Sequence, residues 1–213
     1  MSLLDTFLYS ELLGGSNILP VTKPITVLTG QTLLKGTVMA KVAEGAVSET
    51  HAGNTGNGVM GAMTRGKNAK VGVYALLITA AATNAGTFEL RDPDDISVGR
   101  GTVGVAFTSS HLNFTLADGA TDFVVGDKFL ITVAAGSLKY VAVDSTRVDG
   151  GEDPLGVLPE DVDSTAGDKG STLLCTGEFI EDRLIFVHSG DTIATFRDVL
   201  EAKQIFARTF IAP

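Results

Sequence analysis

GEDPLGVLPEDVDSTAGDKGSTLLCTGEFIEDRLIF, residues 151–186, is the stretch on which the reading of this chain turns. It holds two short apolar runs, 155–158 and 173–176. A connection rich in Pro, Asp, Ser, Thr and Gly separates them over 159–170. Gly177-Glu178-Phe179 follows, then a third apolar run over 184–187. Short apolar runs between clusters of turn formers predict strand, wide polar turn, strand, turn, strand. Nothing in the stretch has the form of a catalytic motif.

Outward from it, residues 139–143 read as a short strand. Residues 26–30 and 33–42 read as two strands joined at Gly30-Gln31, with Leu34, Gly36, Val38 and Ala40 on one face and Lys35, Thr37, Met39 and Lys41 on the other. On the C-terminal side, 191–206 predicts a helix capped by Asp191 or Thr192, with Ile193, Phe196, Val199 and Leu200 on one apolar face and Lys203 in its last turns. The tail, 209–213, is apolar and stops at Pro213.

The middle of the chain has a different texture. Residues 44–68 form a long Gly/Asn/Thr loop that includes His51, Gly53, Asn54, Gly56, Asn57 and Gly58. Five strand-like runs follow at 71–81, 87–91, 102–108, 111–117 and 128–134. Alternation is clean through His111-Leu112-Asn113-Phe114-Thr115-Leu116 and at Val103, Val105 and Phe107. Turn formers fall between the runs, which is the pattern of a small all-β sandwich or barrel-like module.

The opening stretch resembles the head decoration proteins of tailed phages, the family typified by the capsid-stabilising protein of phage lambda. The likeness rests on Gly156-Val157-Leu158-Pro159-Glu160-Asp161-Val162-Asp163 and on Leu174-Cys175-Thr176-Gly177-Glu178-Phe179. It extends to Pro20-Val21-Thr22, to 30–41 and to the C-terminal segment, and it leaves the middle uncovered. The expected fold is therefore mainly β with a C-terminal helix, an α+β chain in which a decoration-protein-like β fold is interrupted by a small all-β, sandwich or Ig-like, insertion. The expected division is an N-terminal capsid-binding arm at 1–25, a discontinuous decoration domain at 26–68 and 138–213, and an inserted domain at 69–137.

Composition bounds the partners. The chain has 213 residues, 25 of them Gly, with 44% hydrophobic and 19% charged residues, which fits a turn-rich globular protein and not a disordered one. A net charge of −9 opposes nucleic-acid phosphate, so direct nucleic-acid binding is not expected. Cys175 is the one cysteine, so no internal disulfide can form, and its place in an apolar run reads as a small core residue. Residues 1–13 lack a basic n-region and carry Asp5 and Glu11, unlike a signal peptide. The longest apolar run, 71–82, is interrupted by Gly72 and Thr79 and is too short to span a membrane. A soluble protein made in a cytoplasm is expected, and the resemblance makes that cytoplasm the host's.

Chemistry is thin. Acidic residues cluster at Asp92, Asp94 and Asp95, at Asp118, Asp122 and Asp127, and at Glu160, Asp161, Asp163 and Asp168. Each could offer oxygens to Ca²⁺, with 92–95 the best placed, but none matches an EF-hand loop and Asp is common in turns for its own hydrogen bonding. His51, His111 and His188 are scattered, with no metal-ligand spacing. The latter two sit at strand ends and read as exposed. No nucleophile elbow, Walker loop or paired-Cys motif occurs. No enzyme activity, metal or cofactor is implied.

Contact residues are therefore sought in the N-terminal segment. Leu4, Phe7 and Leu8 have helical spacing on an arm that ends at Gly14-Gly15. Pro20 and Pro24 punctuate an extended segment with Val21, Thr22, Ile25 and Val27, which either adds to the edge of another protein's sheet or forms an internal edge strand. The resemblance implies that this segment meets the major capsid protein on the outer surface of the expanded head. It also implies a homotrimer that stabilises the shell against DNA pressure. The insertion would project outward, and the alternative is a virion-surface module whose β insertion recognises a host-surface glycan or protein.

Overall fold

The computed structural model describes residues 11–209 of the chain. In order, these form β1 (Thr22–Val27), β2 (Thr32–Leu33), β3 (Val38–Lys41), β4 (Glu44–Thr50), β5 (Thr64–Arg65), β6 (Gly72–Ala82), β7 (Ala85–Arg91), β8 (Ser97–Thr102) and β9 (Ala106–Phe107). Then follow β10 (Leu112–Thr115), β11 (Lys128–Ala135), β12 (Tyr140–Ala142), β13 (Gly156–Val157), β14 (Val162–Asp163), β15 (Lys169–Leu174) and β16 (Gly177–Ile180). A 3₁₀ turn (Glu181–Arg183), the helix α1 (Ile193–Ala202) and β17 (Ile205–Arg208) complete the described chain. The protein is mainly β with one C-terminal helix, as the sequence predicts.

The chain divides into two compact units: Met1–Val42 with Leu138–Pro213, called here the flanking unit, and Ala43–Ser137, the middle unit. The structure thus draws the boundary at residue 43 where the sequence reading placed it at 69. Residues 44–50, read as loop, are β4, which pairs antiparallel with β11 from Glu44↔Ala135 to Thr50↔Leu130. Val47 packs on the middle unit's core from that strand. Its Gly, Ala, Ser and Thr neighbours give little apolar signal, and so the strand is hidden in the sequence.

The middle unit is antiparallel throughout. A five-stranded sheet has the order β4-β11-β6-β7-β8, and a three-stranded sheet the order β5-β10-β9. Alternate residues of the long strands point to one core: Tyr74, Leu76 and Ile78 from β6, Phe88 and Leu90 from β7, Phe129, Ile131 and Val133 from β11. Leu112, Phe114 and Phe107 meet them from the smaller sheet. The rings of Phe88, Phe107 and Phe114 lie 5.1–5.8 Å apart, centroid to centroid. Full burial of each such side chain is worth about 1.5–3 kcal/mol. The expected strand over 102–108 is broken into β8 and β9 because Gly104 takes φ +80°, which ends pairing there.

The flanking unit is built on a closed barrel in the order β1-β12-β3-β13-β15. β1 runs antiparallel to β15 over its whole length, from Thr22↔Leu174 to Val27↔Lys169. Closure comes through a parallel contact, Val27↔Tyr140, between β1 and β12. β3 and the C-terminal half of β15 are buried on both faces, so their alternation serves two cores. Met39 and Leu173 face Ile25, Val27, Leu33, Tyr140, Leu158 and Val162. Val38, Ala40 and Leu174 face Phe179, Leu184, Phe196, Leu200 and Ile205 on the helix side. Leu33 and Val162 reach the first core from a separate two-stranded ribbon, β2 with β14.

The opening stretch is more strand-rich than its sequence predicts. The polar connection 159–170 contains β14 and the start of β15, and the expected turn Gly177-Glu178-Phe179 is strand β16. The run 184–187 forms no extended strand; Ile185 makes one parallel bridge to Thr37. That bridge needs Gly36, whose φ is +93° and whose added Cβ would stand 2.1 Å from the Arg183 carbonyl oxygen. The helix also ends earlier than 206. Lys203 closes it, Gln204 takes φ 61°, and Ile205 begins β17, which lies parallel to β16. At the other end Thr192 is the N-cap, and its amide donates to Thr195 Oγ1 at 3.3 Å. Phe196 and Leu200 are buried, while Val199, expected on the same face, is 40% exposed.

Candidate functional site

The N-terminal segment is fastened to the flanking unit from residue 12 onward. The Gly14 amide donates to the Glu178 carbonyl and the Ile180 amide to the Leu12 carbonyl, both at 2.8 Å, and Leu13 bridges Phe179 antiparallel. Residues 12–14 therefore line one edge of β16 while β17 occupies the other. Leu12 is buried among Phe179, Leu184 and Phe196. Part of the expected arm is thus core, because pairing with β16 carries Leu12 into the flanking unit's core beside Phe196.

Glu178 fixes the next residues. Its side chain is only 3% exposed. Oε2 accepts the Asn17 amide at 2.8 Å, and Oε1 accepts Arg208 Nη2 at 2.8 Å and Nε at 3.2 Å. The Asn17 amide and the Arg208 guanidinium hold the carboxyl below its ordinary range against the opposing effect of burial. A single carboxylate thus ties the N-terminal segment to the last described strand. In sequence it stands in the expected turn at Gly177-Glu178-Phe179. Its only signal is an acidic residue between two apolar runs.

Residues 19–24 emerge from this latch. Thr176 Oγ1 donates to the Leu19 carbonyl at 2.9 Å and accepts the Val21 amide at 3.0 Å. The Cys175 amide donates to the Val21 carbonyl at 2.7 Å. Backbone is satisfied while side chains face out: Leu19 is 65% and Val21 57% exposed. Cys175 is half-buried, and burial raises its thiol pKa.

The candidate contact residues separate into three groups. Leu4, Phe7 and Leu8 lie outside the described residues. Ile25 and Val27 are buried in the barrel with Met39, Tyr140 and Leu173, so their side chains are committed to the core. Pro20, half-buried, and Val21, Thr22 and Pro24, all exposed, remain at the surface, and Leu19 joins them although the sequence reading passed over it.

Register explains the prolines. With Val21 accepting from Cys175, odd-numbered residues turn their backbone groups toward β15. Even-numbered residues turn theirs to the other side, as the Leu28 amide does in donating to Tyr140. Pro20 and Pro24 fall on that even side, where β1 lies beyond the reach of β12. The proline nitrogens sit where a donor would otherwise point out, the placement that blunts an edge.

Several acidic side chains in these turns accept hydrogen bonds from the protein itself. Asp92 accepts Lys70 Nζ at 2.6 Å on one oxygen and the Asp94 and Ile96 amides on the other. Lys70 is the main cause of the depressed Asp92 pKa. Asp127 accepts three amides, from Thr55, Gly56 and Val124, which outweigh burial and keep its carboxyl low. Asp161 accepts the Lys35 amide, Asp122 the Asn84 amide, and Asp168 the Thr29 amide and Lys139. His51 lies 2.7 Å from Glu49, and His111 lies 3.2 Å from the Tyr74 hydroxyl and is half-buried rather than exposed. His188 is half-buried as well, beside Asp144 and Asp191.

The family model of the bacteriophage lambda head decoration protein D matches residues 5–205. No curated protein matches the chain significantly. Among solved structures, one crystal form of Xanthomonas campestris FlgL is similar at 21% identity over 55% of this chain and 41% of that chain, with a TM-score of 0.33. A second form gives 26% identity over 49% and 33%, with a TM-score of 0.32. The chain thus spans less than half the length of those solved chains.

Proposed function

The chain belongs to the bacteriophage lambda head decoration protein D family, and on that premise we propose that it cements the shell by binding the outer surface of the expanded head as a homotrimer. The family is one of structural phage capsid proteins, which supports a structural role for this chain in the virion capsid. The observation that carries the reading is the match over residues 5–205, which takes in the N-terminal segment, both halves of the flanking unit and the motifs around Glu160 and Glu178.

The segment ahead of β1 is the proposed contact with the major capsid protein. Its backbone is held by Glu178 and Thr176 while Leu19 and Val21 present apolar side chains outward. A pre-ordered segment loses less conformational freedom on binding than a free arm. The proline-bearing edge of β1 offers few donors, so side chains, and residues ahead of Leu12, would carry more of the contact than strand addition along β1. Three copies in one trimer would engage three shell sites at once and raise avidity through effective concentration. The middle unit is proposed as an insertion that projects from the shell.

Binding to expanded, DNA-filled heads and the heads' melting temperature test the reading. The protein is expected to saturate defined surface sites and raise the melting temperature. Light scattering should report three chains per particle in solution. Leu19→Ser with Val21→Ser is expected to weaken shell binding at least tenfold while the protein's own melting temperature stays unchanged. Heads that neither bind the protein nor gain stability would overturn the cement role, and binding to host cells with no effect on heads would replace it with adhesion.

A further inference from the structure

We infer that Asp144, His188 and Asp191 form a site for one divalent first-row transition ion, with Zn²⁺ the ion the ligand set suits best. The chain brings them together from two turns. Asp144 follows β12, and His188 and Asp191 precede α1. One ligand atom from each lies within 4.8 Å of the other two. His188 Nδ1 stands 3.5 Å from Asp191 Oδ2 and 3.8 Å from Asp144 Oδ1. Those separations are too long for good hydrogen bonds. Two donors bonded to one tetrahedral Zn²⁺ lie roughly 3.3–3.5 Å apart, given the usual bond lengths, so a small inward movement completes the geometry.

Burial points the same way. His188 Nδ1 is buried and has no hydrogen-bond partner among the described residues. A buried ring nitrogen without a partner is rare in native proteins, and a metal ion is one way to satisfy it. The Asp191 side chain that faces it is 3% exposed. The carboxylates are already aimed. Asp144 Oδ1 accepts the Thr146 amide at 2.9 Å and its hydroxyl at 2.6 Å, and Asp191 Oδ2 accepts the Ser145 amide at 2.9 Å. Asp191 Oδ2 keeps a lone pair for an ion and Asp144 keeps those of its Oδ2, and such outer hydrogen bonds orient metal ligands. Asp144 and His188 also line an open pocket of about 450 Å³, which leaves room for water to complete the coordination. Arg147 lines that pocket too, but its guanidinium is engaged by Asp149, with Nε at 2.9 Å and Nη2 at 2.5 Å. The imidazole nitrogen selects against Ca²⁺ and Mg²⁺, which prefer all-oxygen shells.

The full-length chain, stripped with EDTA and titrated with ZnCl₂ by calorimetry, tests the site. One ion per chain is expected, unaffected by equal CaCl₂ or MgCl₂. His188→Gln and Asp144→Asn should each weaken binding at least tenfold, and Thr146→Val should weaken it about tenfold by loosening Asp144. His51→Gln, in the middle unit, should leave affinity unchanged. Imidazole nitrogen shifts give a second readout: Zn²⁺ should move the Nδ1 signal of His188 and of no other histidine. Circular dichroism of metal-free His188→Gln should match wild type, so that lost binding is not lost folding. No saturable uptake, or uptake that survives His188→Gln, overturns the site.

Discussion

The two units solve the same problem, burying β-sheet faces, with opposite bookkeeping. The middle unit uses one continuous stretch, antiparallel pairing and a single aromatic core. The flanking unit gathers residues from both ends of the chain, closes its barrel with a parallel contact and shares its strands between two cores. Long strands with one buried face need only alternation. Short strands buried on both faces need help from fixed polar contacts, and Glu178, Ser164 and Gln31 supply it. Ser164 Oγ donates to the Leu28 carbonyl at 2.8 Å, and Gln31 bridges Leu28 and Ala142. The difference teaches where each unit is vulnerable: the first through volume, the second through polar connections.

The largest expected effect is on volume. Phe88 is fully buried, and Gly101 lies so close that a Cβ there would stand 2.3 Å from its ring. Phe88→Ala should cost about 3–5 kcal/mol, measured by urea denaturation, with faster amide exchange in β6, β7 and β11. Next, Leu200→Ala removes a helix residue from the flanking unit's core and should cost about 2–5 kcal/mol. Faster exchange should then appear in β3 and β16 instead. Equal loss of protection in both sets of strands for either variant would erase the contrast between the units.

Glu178→Gln probes the polar connection. It should lower the melting temperature and expose residues 14–20 to limited proteolysis, with little change in the middle unit's exchange. Its pH signature follows from the depressed pKa. The stabilisation is fully present above the unfolded value near 4.5 and is lost as pH falls through the lower folded value. Wild type should therefore lose stability below about pH 4.5, and Glu178→Gln should flatten part of that slope. An unchanged slope would show that the latch contributes nothing. The smallest effect is expected at the surface: Val187→Ser, at a residue 57% exposed, should change stability by less than about 0.5 kcal/mol.

The same contrast governs what could be read from the chain. β6, β7, β10 and β11 are legible because Tyr74-Leu76-Ile78, Phe88-Leu90, Leu112-Phe114 and Phe129-Ile131-Val133 alternate over runs long enough to register. β4, β14 and β16 are not, since Gly45 and Glu49 flank Val47 on the inward side of β4, β14 is only two residues long, and β16 buries the charged Glu178. The helix was visible through Phe196 and Leu200, but its end was not, because the turn at Gln204 lacks the usual glycine. At the candidate sites the outcome is similar. Pro20 and Pro24 mark the segment in sequence, yet only three-dimensional register shows that Ile25 and Val27 face inward. Asp144 lies far from His188 and Asp191 along the chain, so no spacing rule could join them.

Residues 12–14 and β17 flank β16 from opposite sides, so both ends of the described chain are stitched to one strand. Tension directed along residues 12–14 would load their hydrogen bonds to β16 in shear. Bonds loaded in shear resist together, where a peeled hairpin surrenders them one at a time. A load applied through that end would first have to pull Leu12 from the core and break the bonds of residues 12–14 to β16 before it reached the Glu178–Asn17 contact.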